Sequence, residues 1–145
     1  MTVKDRNRQL RVVAELLLVH IPARLHAGDI GLTRDLLAVV GTALRATYDD
    51  AEQSARAWDK RAYDVKADQL RREWAWALGA ANYATGLALQ GTPPTDVAVR
   101  KLRRLIKADL KKPYRHQITD PARFRGAAQA VRAQQARKVP PLREY

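Results

Sequence analysis

The stretch Thr95–Tyr114, TDVAVRKLRRLIKADLKKPY, places an apolar face and a cationic face at helical spacing, and it constrains the fold more than any other stretch. Positions three or four residues apart share one side of a helix. The apolar positions are Val99, Leu102, Ile106 and Leu110, and the cationic ones are Arg100, Arg104, Lys107 and Lys111, with Lys101, Arg103 and Lys112 beside them. Thr95 or Asp96 can cap the first turn, and Pro113 cannot continue a helix. The pattern predicts a helix that packs through one face and offers a row of cations on the other.

The segments before this stretch also have helical periodicity. In a chain of 145 residues, an alanine-rich composition with only seven glycines favours helices throughout. The first helix is expected over Val3–His20, because Pro22 should stop it. Gly28 and Gly31 then punctuate an irregular link.

Two more helices are predicted between this link and the segment QGTPPTD. The second should begin near Thr33, a plausible cap, with Asp35 in its first turn. The sequence is polar and charged between Tyr48 and Tyr63, so a turn into the third helix is expected there, and one long helix with a polar middle is the alternative. The third helix should cover residues 61–78, and an extension as far as Gln90 is the alternative.

A further helical segment follows Pro113. Thr119–Pro121 is a helix start, because a capping residue is followed by proline at the first helical position. Residues 122–138 then have a short helical pattern with a thin apolar edge. That edge consists of Phe124, Ala128 and Val131. The tail is either partly disordered or an arm that orders on RNA or a protein surface, and VPPLREY should close it in an extended form.

Together these segments predict an all-α fold in one chain. We expect an antiparallel four-helix bundle over residues 1–112 and a basic C-terminal helical extension over residues 113–145. The chain has no cysteine, which fits a reducing cytoplasm, and its apolar runs are too short to cross a bilayer. We therefore expect a soluble cytoplasmic protein without a membrane partner.

The charge distribution points to an anionic partner. The formal net charge is +12, and residues 93–145 carry 14 Lys and Arg against 4 Asp and Glu, whereas residues 1–92 carry 13 against 11. A clustered excess of cations suits the binding of a phosphate backbone. The alternatives are a solvated surface that keeps the protein soluble, an acidic protein partner or a membrane surface. The predicted nucleic-acid-binding residues are Arg100, Lys101, Arg103, Arg104, Lys107, Lys111, Lys112, Arg115, Arg123, Arg125, Arg132, Arg137 and Lys138.

The sequence offers no catalytic constellation. His20 and His26 lie on either side of a proline-containing link, so they lack the i, i+4 spacing of a helical metal pair. Asp49, Asp50 and Glu52 are better explained as residues that end or cap the second helix. We therefore predict a protein that is not an enzyme and that needs no metal or cofactor.

The order of these features resembles the Avd-like four-helix bundle family. The residues that carry the resemblance are Ile21, Pro22, Arg24, Gly31, Arg34, Leu37, Tyr63, Leu70, Arg71 and Trp74. The family includes the accessory variability determinant of diversity-generating retroelements and proteins encoded in intervening sequences of ribosomal RNA genes. The resemblance implies a homopentameric barrel with a basic surface that partners a reverse transcriptase and its template RNA.

The sequence is therefore consistent with three functions. The first is an oligomeric basic adaptor that holds RNA for a reverse transcriptase. The second is a duplex-DNA-binding accessory protein of a plasmid, phage or chromosome-packaging system. The third is a protein-interaction module whose basic tail grips an acidic partner.

Overall fold

Helices make up the whole of the regular secondary structure that the computed structural model describes, which covers the backbone of residues 3–138 and the side chains of residues 5–137. No β-strand occurs within that range, so the all-α prediction is confirmed. The elements are α1 (Val3–Glu15), a π-helical turn (Leu16–His20), α2 (Ile21–Ala27), α3 (Ile30–Lys60), α4 (Asp64–Leu89), α5 (Asp96–Leu105), a 3-10 turn (Pro121–Phe124) and α6 (Ala127–Lys138).

The first helical stretch continues through Pro22, so the predicted stop at this residue is wrong. A proline in an α-helix collides with the carbonyl four residues earlier, which here belongs to Leu18. The π-helical turn widens the backbone at this point, and the N–H of Ile21 donates to the carbonyl of Leu16, five residues back. The helix ends instead at Gly28, whose φ of 75° is the left-handed conformation that closes many helices.

Helix α3 begins earlier than the sequence indicates. Asp29, not Thr33, caps it, because the Asp29 Oδ1 accepts a hydrogen bond from the N–H of Leu32 at 3.1 Å. Gly31 lies inside the first turn and does not break the helix, so that prediction is wrong too. At the other end, α3 reaches Lys60, and the turn into α4 falls within the interval predicted for it.

Helix α4 extends to Leu89, which matches the longer of the two predicted extents. It packs along α3 through small side chains, chiefly Ala80, Ala81 and Ala84, which are all buried. Gly41 on α3 lies against the backbone of α4, and a Cβ there would collide with the hydroxyl of Thr85. Leucines of α3 and of the α1–π turn stretch complete the core around this contact.

The amphipathic helix predicted over residues 95–114 is only half as long. Thr95 caps it as expected, since its Oγ1 accepts from the N–H of Ala98 at 3.1 Å. Helix α5 ends at Leu105, well before Pro113, and residues 106–120 follow an irregular path. Both Ile106 and Ile118, on either side of this path, bury their side chains in the core.

The chain after residue 120 is held against the other helices. Asp120 caps the 3-10 turn, as the Thr119–Pro121 pattern predicts, but Gly126 with a φ of 93° interrupts the predicted helix over 122–138. Asp35 then accepts hydrogen bonds from the N–H groups of Gly126 and Ala128, at 3.1 and 2.9 Å, and so satisfies the start of α6. The predicted apolar edge of this segment packs on the core. The segment VPPLREY lies outside the described residues.

Candidate nucleic-acid interface

Three arginines of α5 line one cleft on the surface. Arg100, Arg103 and Arg104 are exposed on this helix, whereas Val99 and Leu102 are buried. Together with Leu18, Ala108 and Leu110 they enclose about 430 Å³, and we call this space the arginine cleft. Arg100 also pairs with Asp96 one turn earlier, at 2.9 Å.

A second and larger depression lies between α1 and the irregular segment 109–117. It encloses about 970 Å³, and we call it the α1 groove. Its cations are Arg11, Lys111, Lys112 and Arg115. Its apolar lining consists of Leu10, Ala14, Leu110 and Pro113. Tyr114 also lines the groove, and this residue is fully exposed. Leu110 lines both this groove and the arginine cleft, so the two depressions are adjacent.

The predicted stripe of four cations on one helix face is wrong for its second half. Lys107 and Lys111 lie beyond the end of α5, so they do not continue the spacing of Arg100 and Arg104. Lys107 donates from Nζ to the carbonyl of Arg104 at 3.2 Å and thereby satisfies the C-terminal end of the helix. Lys111 reaches the α1 groove instead, 3.8 Å from the carboxylate of Asp109. Because α5 is short, two clefts replace one stripe.

Lys101 lies on the side of α5 that faces α4. Its Nζ is 5.4 Å from the centre of the Tyr83 ring, a distance at which a cation is attracted to an aromatic face. The side chain is nevertheless exposed, so it remains at the edge of the cationic surface.

The predicted cations between residues 121 and 137 do not line either depression. Arg125 donates to Asp29 at 2.9 Å, and Arg132 donates to the carbonyl of Leu89 at 3.0 Å, so both hold the C-terminal segment against the helices. Arg123 covers the ring of its neighbour Phe124. Arg137 is exposed on α6, and the side chain of Lys138 lies outside the described residues.

The structure adds cations of α1 to this surface that the sequence reading omits. Arg8 and Arg11 are both exposed, and they line a small depression next to Gln117 and Ile118. Their spacing of three residues on a helix was the available signal. The contribution of Arg8 and Arg11 was not predicted because the first 92 residues are nearly neutral as a whole. In addition, nothing in the sequence indicates that residues 109–117 pack beside α1.

Glu15 fixes the segment that forms one wall of the α1 groove. Its carboxylate is buried and accepts hydrogen bonds from the N–H of Gln117 at 2.6 Å and of Ile118 at 2.9 Å. It also lies 2.7 Å from Nε2 of His20, whose ring meets that of His116 edge-on at 5.6 Å between centroids. Burial raises the pKa of Glu15, but the His20 and backbone hydrogen bonds outweigh it, so the pKa lies below the ordinary value. The carboxylate therefore stays ionised and keeps the segment in place at neutral pH.

The other acidic residues that were expected to end the second helix have different roles. Asp50 is buried and pairs with Arg6 at 2.7 Å, which ties α1 to α3. Glu52 lies 3.3 Å from Arg71 of α4, and Asp49 pairs with Arg45 on its own helix. Because α3 continues to Lys60, that prediction is wrong.

The arrangement of these groups suits the binding of anions. Within the described part of the chain, no cluster of three or more His, Cys, Asp or Glu could hold a metal ion, and no helix is both long and apolar enough to cross a bilayer.

Comparison with protein-family models, with curated proteins and with solved structures gave no match for this chain. The resemblance to the Avd-like family therefore depends on the residues quoted for it and stays a prediction.

Proposed function

We propose that this chain is a non-catalytic basic accessory protein that binds nucleic acid through the arginine cleft and the adjacent α1 groove. The preferred nucleic acid in this proposal is RNA, and DNA is the alternative. The observation that carries the proposal is that cations from α5, from α1 and from the segment 109–117 line two adjacent depressions on one surface. Lys and Arg on such a surface displace counterions from phosphates and give affinity that does not depend on base sequence.

The Avd-like resemblance supplies the finer part of the proposal. In this proposal the chain is cytoplasmic and forms an antiparallel four-helix bundle that assembles into a homo-oligomer, a pentamer in that family, and partners a reverse transcriptase. Contacts between α3 and α4 support the antiparallel arrangement, because Arg34 bonds to Gln90 near one end of the pair and Glu52 pairs with Arg71 towards the other. A tagged pull-down from the native host, with bound protein and nucleic acid both identified, tests the partnership.

Charge reversal in the arginine cleft tests the binding of nucleic acid. We expect the triple variant R100E/R103E/R104E to bind a labelled RNA hairpin about 100-fold more weakly than the wild type, because three charge-assisted contacts are lost. Fluorescence anisotropy measures the Kd, and circular dichroism checks that helicity is retained.

The matched control carries the same change in charge elsewhere. The variant R45E/R56E/R72E alters three exposed arginines of α3 and α4, each of which pairs with an acidic residue four positions earlier or later, as Arg100 does. We expect less than about a 10-fold loss from it. Equal losses in the two variants would show that only net charge matters and would remove the cleft from the proposal.

The same titrations separate the alternative functions. Tighter binding of duplex DNA than of structured RNA, with no polymerase in the pull-down, would favour a DNA-packaging or mobilisation role. A 1:1 complex with an acidic protein and no salt-dependent binding of either nucleic acid would favour an interaction module.

A further inference from the structure

We infer that the α1 groove is a site for unpaired bases of single-stranded nucleic acid, with Tyr114 as the surface on which a base stacks. The inference rests on the proposed function and adds to it a class of substrate, because phosphate contacts alone do not distinguish single strands from duplexes.

The exposure of Tyr114 is the first observation. Its ring is fully exposed, so both of its faces are open to a base, and it lies in the sequence between Lys112 and Arg115. The other exposed tyrosine among the described residues, Tyr63, differs because its ring packs edge-on against Trp58 at 5.6 Å. Bases stack on rings of this kind whatever their sequence, since every base has an aromatic face.

The shape and lining of the groove are the second observation. Its wall is apolar where Leu10, Ala14, Leu110 and Pro113 contribute, and this is suitable for the flat faces of bases. Its volume of about 970 Å³ lies within the range of pockets that hold drug-sized molecules, about 300–1,000 Å³, so it has room for a nucleotide. In a duplex the base faces are already covered by neighbouring bases, and therefore only an unpaired base can enter.

The charge of the groove is the third observation. Four cations line it against two carboxylates, those of Glu15 and Asp109. The Glu15 carboxylate is buried and accepts hydrogen bonds from two backbone N–H groups, and Asp109 lies beside Lys111. Arg11, Lys112 and Arg115 thus remain at the edge to meet phosphates while a base contacts Tyr114. This division between stacking and phosphate contacts is typical of proteins that bind single strands.

The test compares a single strand with a duplex in the same variants. We expect Y114A to weaken the binding of a labelled 12-nucleotide oligouridine by about 5- to 100-fold, since loss of a stacking ring has an effect of this size, and to leave the Kd of a blunt RNA duplex unchanged. Y114F should bind within about 2-fold of the wild type because it keeps the ring. Y63A is the control for loss of an exposed tyrosine elsewhere and should not change the Kd for oligouridine.

Each outcome of this test has a definite meaning. Unchanged binding of oligouridine by Y114A, or an equal loss on duplex and single strand, overturns the stacking site while the arginine-cleft variants still support the proposed function. Competition by polyglutamate that is as effective as competition by unlabelled oligouridine at equal charge concentration also overturns it, because polyglutamate has charge but no bases. Failure of the wild type to bind either RNA in a salt-dependent manner would overturn the proposed function itself.

Discussion

At the scale of single residues, Glu15 joins two parts of the chain that are about 100 positions apart in sequence. Its carboxylate accepts the backbone N–H groups of Gln117 and Ile118 from within a buried site, where an unpaired polar group is costly. The contact sets the position of Lys112 and Arg115 beside α1. The cationic surface therefore depends on one buried anion.

We expect E15Q to lower the free energy of unfolding by about 2 kcal/mol at pH 7, because an amide offers one oxygen and an N–H₂ group, whereas each of the two carboxylate oxygens accepts from a backbone N–H. The pKa of Glu15 is lowered in the folded state, so its contribution is present above the ordinary value of 4.5 and is lost as the pH falls through the folded-state pKa. The difference between wild type and E15Q should therefore shrink below about pH 4.

Urea denaturation at pH 7 and at low pH measures this difference. The control is E73Q, which changes an exposed glutamate of α4 and should leave the stability within about 0.5 kcal/mol. A difference between wild type and E15Q that grows on acidification would contradict the assignment of Glu15 as a buried carboxylate.

Sequence could predict the local contacts at this scale and not the distant ones. Thr95 and Asp120 were identified as caps because the N–H that each side chain accepts lies two or three residues away. Glu15 and Asp35 serve donors more than 90 residues away, which no local pattern indicates. The α1 groove was missed for the same reason.

At the scale of elements, the pair of helices α3 and α4 depends on a close approach at Gly41. A Cβ at this position would meet the N atom of Thr85 at 3.1 Å and the carbonyl oxygen of Ala81 at 3.2 Å, besides colliding with the Thr85 hydroxyl. Two of these three atoms belong to backbone, which cannot move without shifting the helix. Gly79 lies on the exposed side of α4 and would meet nothing within 4 Å.

We expect G41A to destabilise the protein by about 1–3 kcal/mol through overpacking. G79A should instead stabilise it by about 0.5–1 kcal/mol, because alanine loses less backbone entropy than glycine in a helix. Thermal or urea denaturation of the two variants measures these opposite changes. A stabilising G41A would mean that the helices are further apart than the structure shows.

The helices themselves were largely predictable, and their ends were less so. The polar turn before Tyr63 and the segment QGTPPTD separate α3, α4 and α5 as expected. The length of α5 was overestimated because Ile106 and Leu110 fit a helical pattern, although the helix ends at Leu105 and residues 106–120 follow an irregular path. The first helix was predicted to end at Pro22 because the sequence does not reveal the π-helical turn that precedes this residue.

At the scale of the whole molecule, the charge asymmetry of the sequence becomes a surface. Seven cations line the arginine cleft and the α1 groove, and Arg11 comes from the nearly neutral first part of the chain. The concentration of charge in the last third was predictable from the sequence. Arg125 and Arg132 do not line these depressions, because their contacts hold α6 in place. This could not be predicted from the sequence.

We expect the affinity for nucleic acid to fall steeply with salt. If about six phosphates are neutralised, the slope of log affinity against log salt should be about −5 for a duplex and about −4 for a single strand. Anisotropy titrations between low and moderate salt measure the slope. R100E/R103E/R104E should reduce its magnitude by about 2 to 3, and a slope near zero for the wild type would exclude phosphate binding as the source of affinity.

The π-helical turn also sets the rotational phase of the first helical stretch. A π turn is an α-helix with one inserted residue, and one residue corresponds to a rotation of about 100°. Deletion of a residue between Leu16 and Ile21 would turn Arg8, Arg11 and Glu15 together by about that angle relative to α2. The chain length of this stretch thus selects which side chains of α1 face residues 109–117, so a single-residue gap in a related sequence would signify a different surface on an otherwise similar set of helices.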